Sequence, residues 1–390
     1  MRRVRLKEIG TFYSGLSGKS KSDFSEGNAL LVTYRNIFNN PVLNPAIKDT
    51  VVVGKDEKQN EVLWGDILIT GSSETPADAG MSSVVLFNPQ EKMYLNSFCF
   101  GFRLNDMNEA LPSYIGHLLR STSIRAAISK TAFGVTRFNV NRMRFADIEI
   151  PLPPLNIQKE IVSILDSFTS LIDKMKQEVE MRKKQMEYYR EKLMAPQKNW
   201  KIKTLGEIGT FTRGNGLQKS DFRVKGFPCV HYGQIHTYYN TCIYKTKSFC
   251  EEDLAKKLQK ASYGDLLIAT TSEDVKACCK AAVWFGAGDV AYSGDSFCYS
   301  HDQDPKYMAY LFQTEMFAKQ KQKAATGAKV IRVSGESMAS FSFAFPPLVQ
   351  QRQIASILDI FETYISKLEK MIELRQKQYE YYREKLLTFE

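Results

Sequence analysis

Two segments of the chain alternate apolar positions by three and four. In the first, Leu165, Phe168, Ile172, Met175, Val179, Arg182, Met186, Tyr189 and Leu193 form a seam of about four heptads. In the second, Leu358, Phe361, Ile365, Leu368, Ile372, Arg375, Tyr379, Tyr382 and Leu386 repeat it. No Gly or Pro interrupts either run, good helix formers dominate, and the pairs Pro153-Pro154 and Pro346-Pro347 stand at the entries. Two long helices of about 35 residues, each spanning roughly 50 Å, are expected. Each seam carries one arginine, Arg182 or Arg375. The expected arrangement is a solvated guanidinium on a buried stem; a polar register device is the alternative.

The regions before these helices are patterned differently. Short β-rich runs, Leu30-Leu31-Val32-Thr33-Tyr34, Asp66-Ile67-Leu68-Ile69-Thr70 and Ser83-Val84-Val85-Leu86-Phe87, are bounded by Gly, Pro, Asn and Ser. Helical stretches are expected near residues 112–119 and 308–312. The fold class is therefore α/β: two mixed α/β domains in tandem, at 1–150 and 196–343, separated by helical segments at 151–195 and 344–390. Residues 195–200, Ala-Pro-Gln-Lys-Asn-Trp, form the joint.

The chain is written twice. Leu6-Lys7-Glu8-Ile9-Gly10-Thr11-Phe12 returns as Leu205-Gly206-Glu207-Ile208-Gly209-Thr210-Phe211, and Lys21-Ser22-Asp23-Phe24 as Lys219-Ser220-Asp221-Phe222. Tyr34-Arg35-Asn36-Ile37 matches Tyr232-Gly233-Gln234-Ile235, and Gly65-Asp66-Ile67-Leu68-Ile69 matches Gly264-Asp265-Leu266-Leu267-Ile268. Ser97-Phe98-Cys99-Phe100 is set against Ser296-Phe297-Cys298-Tyr299. The helical segments match most closely, from Pro-Pro-Leu through Ser-Ile-Leu-Asp to Glu-Tyr-Tyr-Arg-Glu-Lys-Leu at 187–193 and 380–386. Direct repeats joined by a short linker can pair such helices antiparallel.

Composition narrows the function. Of 390 residues, 43% are hydrophobic and 25% charged, which excludes global disorder, collagen and a disulfide miniprotein. No apolar stretch is long enough to span a membrane and no signal-like run opens the sequence, so a cytoplasmic location without membrane contact is expected. Seven cysteines without metal-like spacing read as reduced and structural. An excess of 53 Lys+Arg over 43 Asp+Glu, a formal charge of +10, leans towards a polyanion such as nucleic acid.

The sequence offers no convincing active site. Gly18-Lys19-Ser20 lacks the upstream glycine of a phosphate loop, since Tyr13 occupies that place. No Gly-x-Gly-x-x-Gly follows a strand. Asp265, Asp274 and Lys276 faintly resemble a nuclease metal site, but the first half lacks the lysine. The histidines His117, His231, His236 and His301 have no metal-ligand spacing and no nucleophile partner. No metal site and no catalytic residue is assigned.

What does recur is loop chemistry suited to DNA, with donors for phosphates and base edges and Gly for close approach. The first set is Ser17, Lys19, Ser20 and Lys21, answered by Arg213, Asn215, Gln218 and Lys219. The second is Tyr34, Arg35 and Asn36, answered by Gln234 and His236 after Tyr232. The third is Thr70, Ser72 and Ser73 against Thr270, Thr271 and Ser272. The fourth precedes the helices: Lys130, Thr131, Thr136, Arg137, Asn139 and Arg142 against Lys321, Lys323, Thr326, Lys329 and Arg332. Solvation accounts for any one of these residues; recurrence of each loop in both halves favours DNA.

With these motifs in order and duplicated, the whole chain resembles the specificity subunit of a type I restriction-modification system. The resemblance rests on the Leu-x-Glu-Ile-Gly-Thr-Phe openings, the Gly-Asp strands, Pro-Pro-Leu-x-x-Gln at 153–158 and 346–351, and the Tyr-Tyr-Arg-Glu-Lys-Leu helices. It implies that each variable domain recognises one half of a bipartite site in double-stranded DNA and that the helices form an antiparallel coiled-coil ruler. It also implies a chain without a catalytic centre or bound cofactor. Two modification (methyltransferase) subunits would bring S-adenosylmethionine, and restriction subunits would bring ATP- and Mg-dependent endonuclease chemistry. A coiled-coil adaptor that binds proteins, and an autonomous nuclease built on Asp265, Asp274 and Lys276, are the competing readings.

Overall fold

The computed structural model describes residues 2–389. It divides into two units, the first made of Met1–Lys176 with Lys370–Glu390 and the second of Gln177–Glu369. Each unit holds one variable head, the start of one long helix and the end of the other.

In the first head an antiparallel sheet runs in the order Gly10–Ser14, Cys99–Leu104, Ile67–Thr70, Ser82–Val84. A smaller sheet orders Thr50–Val51, Ala29–Val32 and Met93–Leu95. Phe100, Phe102, Phe145 and Tyr114 fill the core between the main sheet and the helix Pro112–Leu119. Strand Arg2–Arg5 pairs with Glu149–Leu152, so both ends of the head meet where Pro153-Pro154 launches the long helix. The second head repeats this: Gly209–Arg213, Ser296–His301, Leu266–Ala269 and Lys280–Trp284 are followed by an added edge strand, Cys242–Ile243. Strand Lys201–Thr204 closes on Ser342–Phe345.

The Gly-Asp repeat is a turn device. Gly65 and Gly264 have φ of +86° and +94°, a region that favours glycine, and the following aspartate accepts a backbone N–H two residues before the glycine. Asp66 takes the N–H of Leu63 and Asp265 that of Ser262, both at 2.8 Å. Asp66 also receives two nitrogens of Arg103 at 2.7 Å and the Tyr13 hydroxyl at 2.6 Å, which satisfies its buried charge.

One sequence match is out of register. With Phe12 set on Phe211, the ladders pair Phe12 with Phe102 and Phe211 with Tyr299, so Phe102 corresponds to Tyr299 and Phe98 to Asp295. The pairing of Ser97-Phe98-Cys99-Phe100 with Ser296-Phe297-Cys298-Tyr299 is therefore displaced by two residues, because the second head is two residues shorter between its Gly-Asp turn and this strand. A slip of two keeps every side chain on its own face of a strand, which is why the islands still look alike.

The long helices run Leu155–Met194 and Leu348–Leu387, 40 residues each and about 60 Å long, longer than the heptads alone suggest. In both units they pair antiparallel: Phe168 stacks on Tyr382 in the first and Tyr189 on Phe361 in the second. Seam residues Leu165 and Leu358 are fully buried. Arg182 lies half-buried, donating to Glu178 at 2.7 Å and resting over Tyr364. An acidic partner one turn back is thus present, and the stem is covered as expected.

Three constant residues fasten each head to its helix pair. Gln158 accepts the Leu111 N–H at 2.9 Å and donates to the carbonyls of Glu109 and Pro153; Gln351 accepts the Asp304 N–H at 3.0 Å and donates to Pro346 and Gln303. Asp166 bonds His117 at 2.8 Å, and Asp359 accepts the Tyr310 hydroxyl at 2.8 Å. Glu384 receives the Thr122 N–H at the start of helix Thr122–Ser129, and Glu191 receives the Glu315 N–H at the start of helix Glu315–Ala324. In each case the capping carboxylate comes from the other repeat's long helix.

Candidate nucleic-acid interface

The strand that follows each Gly-Asp turn delivers its far end to a second short pairing. Ser72–Ser73 is bonded to the hairpin strand Phe138–Val140, and Thr271–Ser272 to Ile331–Arg332. At the hairpin tips Gly134 and Gly327 have φ of +134° and +101°, and an added Cβ would lie 2.0 Å from the Arg137 carbonyl oxygen and 2.1 Å from that of Val330. Glycine is required there, and the shared contact makes Val330 the counterpart of Arg137.

In the first head the hairpin, the Ser72–Ser73 strand and the helix Tyr34–Asn39 enclose an open cleft of about 610 Å³. Tyr34, Phe38, Phe98, Ser73, Thr136 and Arg137 line it. In the second head a cleft of about 500 Å³ is lined by Arg213, Gln218, His231, Tyr232 and Asp295. Other candidate cations and amides are exposed on the heads: Arg35, Lys21, Lys130, Asn139 and Arg142 on the first, Lys219, Lys323, Lys329 and Arg332 on the second. Arg142 is fixed by a 2.8 Å bond to Ser14 and by the face of Phe100. Ser17 and Ser20 are exposed on the basic loop, and Ser272 is half-buried.

Several sequence candidates are buried or have polar groups engaged within the heads, and for the buried ones, Thr70, Ser72, Thr131, Thr270, Thr271 and Lys321, the DNA-contact reading is corrected. Thr70 is 0% exposed, its hydroxyl accepting the Met81 N–H. Thr131 is buried, with its hydroxyl on the Ile128 carbonyl. Lys321 is buried, and its ammonium donates to the carbonyls of Lys276 and Cys278 at 2.8 Å. Desolvation lowers the pKa of Lys321. Lys19 is ion-paired with Glu57, whose carboxyl it holds down to about 2 with help from Gly54 and Gln59. The Asn36 amide bonds Asn44 and Asn40, and Gln234 bonds Ser248 and the His231 N–H, so both close turns. Asn215 is held by Lys257 and Gln259, and His236 donates from Nε2 to the Thr271 carbonyl. Thr270 and Thr271 are buried, and their hydroxyls turn to Asp295. Ser72 is buried beneath Arg137.

Phe98 in the first cleft and Asp295 in the second were not singled out from the sequence. The strand register, not any local motif, makes them counterparts. The residues of the nuclease reading are occupied too: Asp265 holds the turn at Ser262, and Asp274 accepts the Ala277 N–H at 2.8 Å. Among the described residues no group of three or more His, Cys, Asp or Glu could hold a metal ion, no helix is long and apolar enough to cross a membrane, and all seven cysteines are free thiols. Burial pushes the Cys99 and Cys242 thiols up to about 12.

A family described as the type I restriction modification DNA specificity domain matches residues 1–181 and again 197–376. A Haemophilus influenzae protein assigned as a type I restriction enzyme specificity subunit is 30% identical over 272 residues, 66% of this chain and 68% of its own. The Escherichia coli EcoR124I/EcoR124II specificity subunit is 28% identical over 256 residues, 62% of this chain and 63% of its own. The crystal structure of an S subunit from M. genitalium superposes with a TM-score of 0.57 at 15% identity, covering 100% of this chain and 96% of that one. A chain from a type I restriction-modification complex gives 0.59 at 14%, covering 99% and 97%. These two likenesses show the fold. With its specificity domain present twice over most of its length, the chain belongs to the type I restriction-modification specificity subunits, the non-catalytic members of such systems whose general role is to recognise DNA sequence.

Proposed function

We propose that each head reads one half of a bipartite target in duplex DNA, and that the antiparallel helices set the spacing between the halves. The observation that carries this reading is a doubled construction beside the Gly-Asp turn: the same strand end and hairpin are built twice, with different side chains at equivalent places. Arg137 stands where the second head has Val330, and Asn139 where it has Arg332. A shared mode of docking with changed base-edge chemistry is what two unlike half-sites require.

The chain recruits its enzymes to that target. Two modification subunits supply S-adenosylmethionine-dependent methylation, and restriction subunits supply ATP- and Mg-dependent cleavage; this chain binds none of these cofactors. In support, the long helices expose further apolar residues outside the seam: Ile164, Leu171, Met181 and Tyr188 on the first, Ile357, Tyr364, Leu374 and Tyr381 on the second. These are equivalent places in the two repeats, suited to two copies of one helical partner. One structural neighbour is described in terms of complex assembly in a type I system. Comparing the methylome of the host with and without this gene tests the reading. Loss of methylation at one bipartite motif is expected, and an unchanged methylome overturns it.

A further inference from the structure

The heads differ where the hairpin meets the strand end. In the first, the Arg137 guanidinium lies over Phe98 with its carbon 5.0 Å from the ring centroid, and its Nε donates to Ser72 Oγ at 3.0 Å. Ser72 is 4% exposed, so this anchor is fixed, while Phe98 is 56% exposed and carries the stack at the cleft mouth. The two terminal nitrogens of Arg137 make no hydrogen bond among the described residues. A guanidinium stacked on one face, tied at Nε and free along its outer edge, is a rigid two-pronged donor. In the major groove the acceptor pair it fits is O6 and N7 of guanine.

The second head puts the opposite polarity in the same place. Gly71 donates its N–H to the Phe98 carbonyl and Thr270 to that of Asp295, which fixes Asp295 as the counterpart of Phe98. Thr271, standing for Ser72, donates its hydroxyl to the Asp295 carboxylate at 3.2 Å. Val330, standing for Arg137, has nothing to donate. A half-buried carboxylate beside Arg213 and Gln218 repels phosphate and accepts from an exocyclic amino group, which cytosine and adenine present in the major groove.

We infer that Arg137 selects a guanine in the first half-site and that Asp295 selects a base bearing an exocyclic amino group, cytosine or adenine, in the second. The inference rests on the reading that each head binds one half of a duplex target. It is tested by selecting bound sequences from a randomised duplex library with the full chain, with and without Arg137→Gln, Arg137→Lys and Asp295→Asn. The wild type enriches two blocks. Arg137→Lys keeps the charge but removes the fork, so preference for one G·C pair in one block falls five-fold or more. Arg137→Gln shifts that position towards adenine, and Asp295→Asn alters one position of the other block alone. Arginine variants that keep both blocks and bind uniformly more weakly would place Arg137 on phosphate and overturn the inference. A wild type that enriches no block would overturn the underlying reading instead.

Discussion

Phe168 and Tyr382 stack across the antiparallel helices at 5.4 Å and 22°, and Tyr189 and Phe361 repeat the contact at 5.5 Å and 24°. Each stack pairs the early part of one helix with the late part of the other. Phe168→Ala removes a half-buried ring, so its expected cost is about 2 kcal/mol, below the ~3–5 kcal/mol of a fully buried one. Denaturant unfolding of the full chain measures it, and Phe361→Ala is expected to cost a similar amount. No loss from either would mean that the stacks contribute nothing to helix pairing.

Glu384 and Glu191 each cap a helix start that would otherwise keep unpaired N–H groups beside the positive end of a helix dipole. Glu384→Ala is expected to cost about 1 kcal/mol, equivalent to roughly five-fold faster hydrogen exchange by local opening at the start of Thr122–Ser129. Exchange at the start of Glu315–Ala324 should stay unchanged, and Glu191→Ala should give the reverse pattern.

Gln158 satisfies one buried N–H and two carbonyls with a single amide. Gln158→Ala leaves these groups unpaired, at about 1–3 kcal/mol for each one that water cannot reach. Gln158→Glu is expected to be no better, since a carboxylate accepts from Leu111 but cannot donate to Glu109 or Pro153. Thermal melting of the two variants checks this, and a glutamate variant as stable as wild type would show that the donated bonds are dispensable.

Burial lowers the pKa of His231 and of His301 in the second head, and His301 Nε2 has no hydrogen-bond partner among the described residues. A folded pKa below the unfolded value of about 6.5 means that the unfolded chain binds more protons as pH falls. The stabilising contribution is complete above about 6.5 and declines below it, towards the lowered folded values. Leucine stands at the equivalent place in the first head, as Leu104, so His301→Leu should flatten the fall in melting temperature between pH 7 and pH 5. An unaltered slope would remove His301 from the acid response.

Salt dependence separates exposed cations from buried ones. Lys219→Ala should lower the slope of log affinity against log salt by about one if it contacts a phosphate. Lys321→Ala should leave the slope alone and destabilise the second head, because its ammonium is bound to two carbonyls. Equal changes in slope would contradict the buried placement.

The repeat and the long helices were legible because identity and heptad spacing are properties of the chain itself. The work done by the repeated residues was not. Gln158, Asp166 and Glu384 are conspicuous in sequence, but their partners are backbone groups or side chains tens to hundreds of positions away. The clefts were partly legible: Arg137 and Arg213 were found by residue type, whereas Thr70, Thr131 and Lys321 share that polar composition and face inwards. Asp295 was hidden by the two-residue slip, which strand alternation tolerates without any sign in the pattern.

The fastenings of Gln158, Gln351, Glu191 and Glu384 share one property: the group each carboxyl or amide oxygen receives is a main-chain N–H, belonging to Leu111, Asp304, Glu315 and Thr122 respectively. Every amino acid except proline offers that donor, so at these four points the long helices do not inspect the side chain plugged into them, whereas the bonds of Asp166 to His117 and of Asp359 to Tyr310 do. At those four positions a head can change its side chain and keep the bond that seats it. Substitution at Leu111, Asp304, Thr122 or Glu315 is thus compatible with an unchanged scaffold, while His117 and Tyr310 tie the heads to it by side-chain identity.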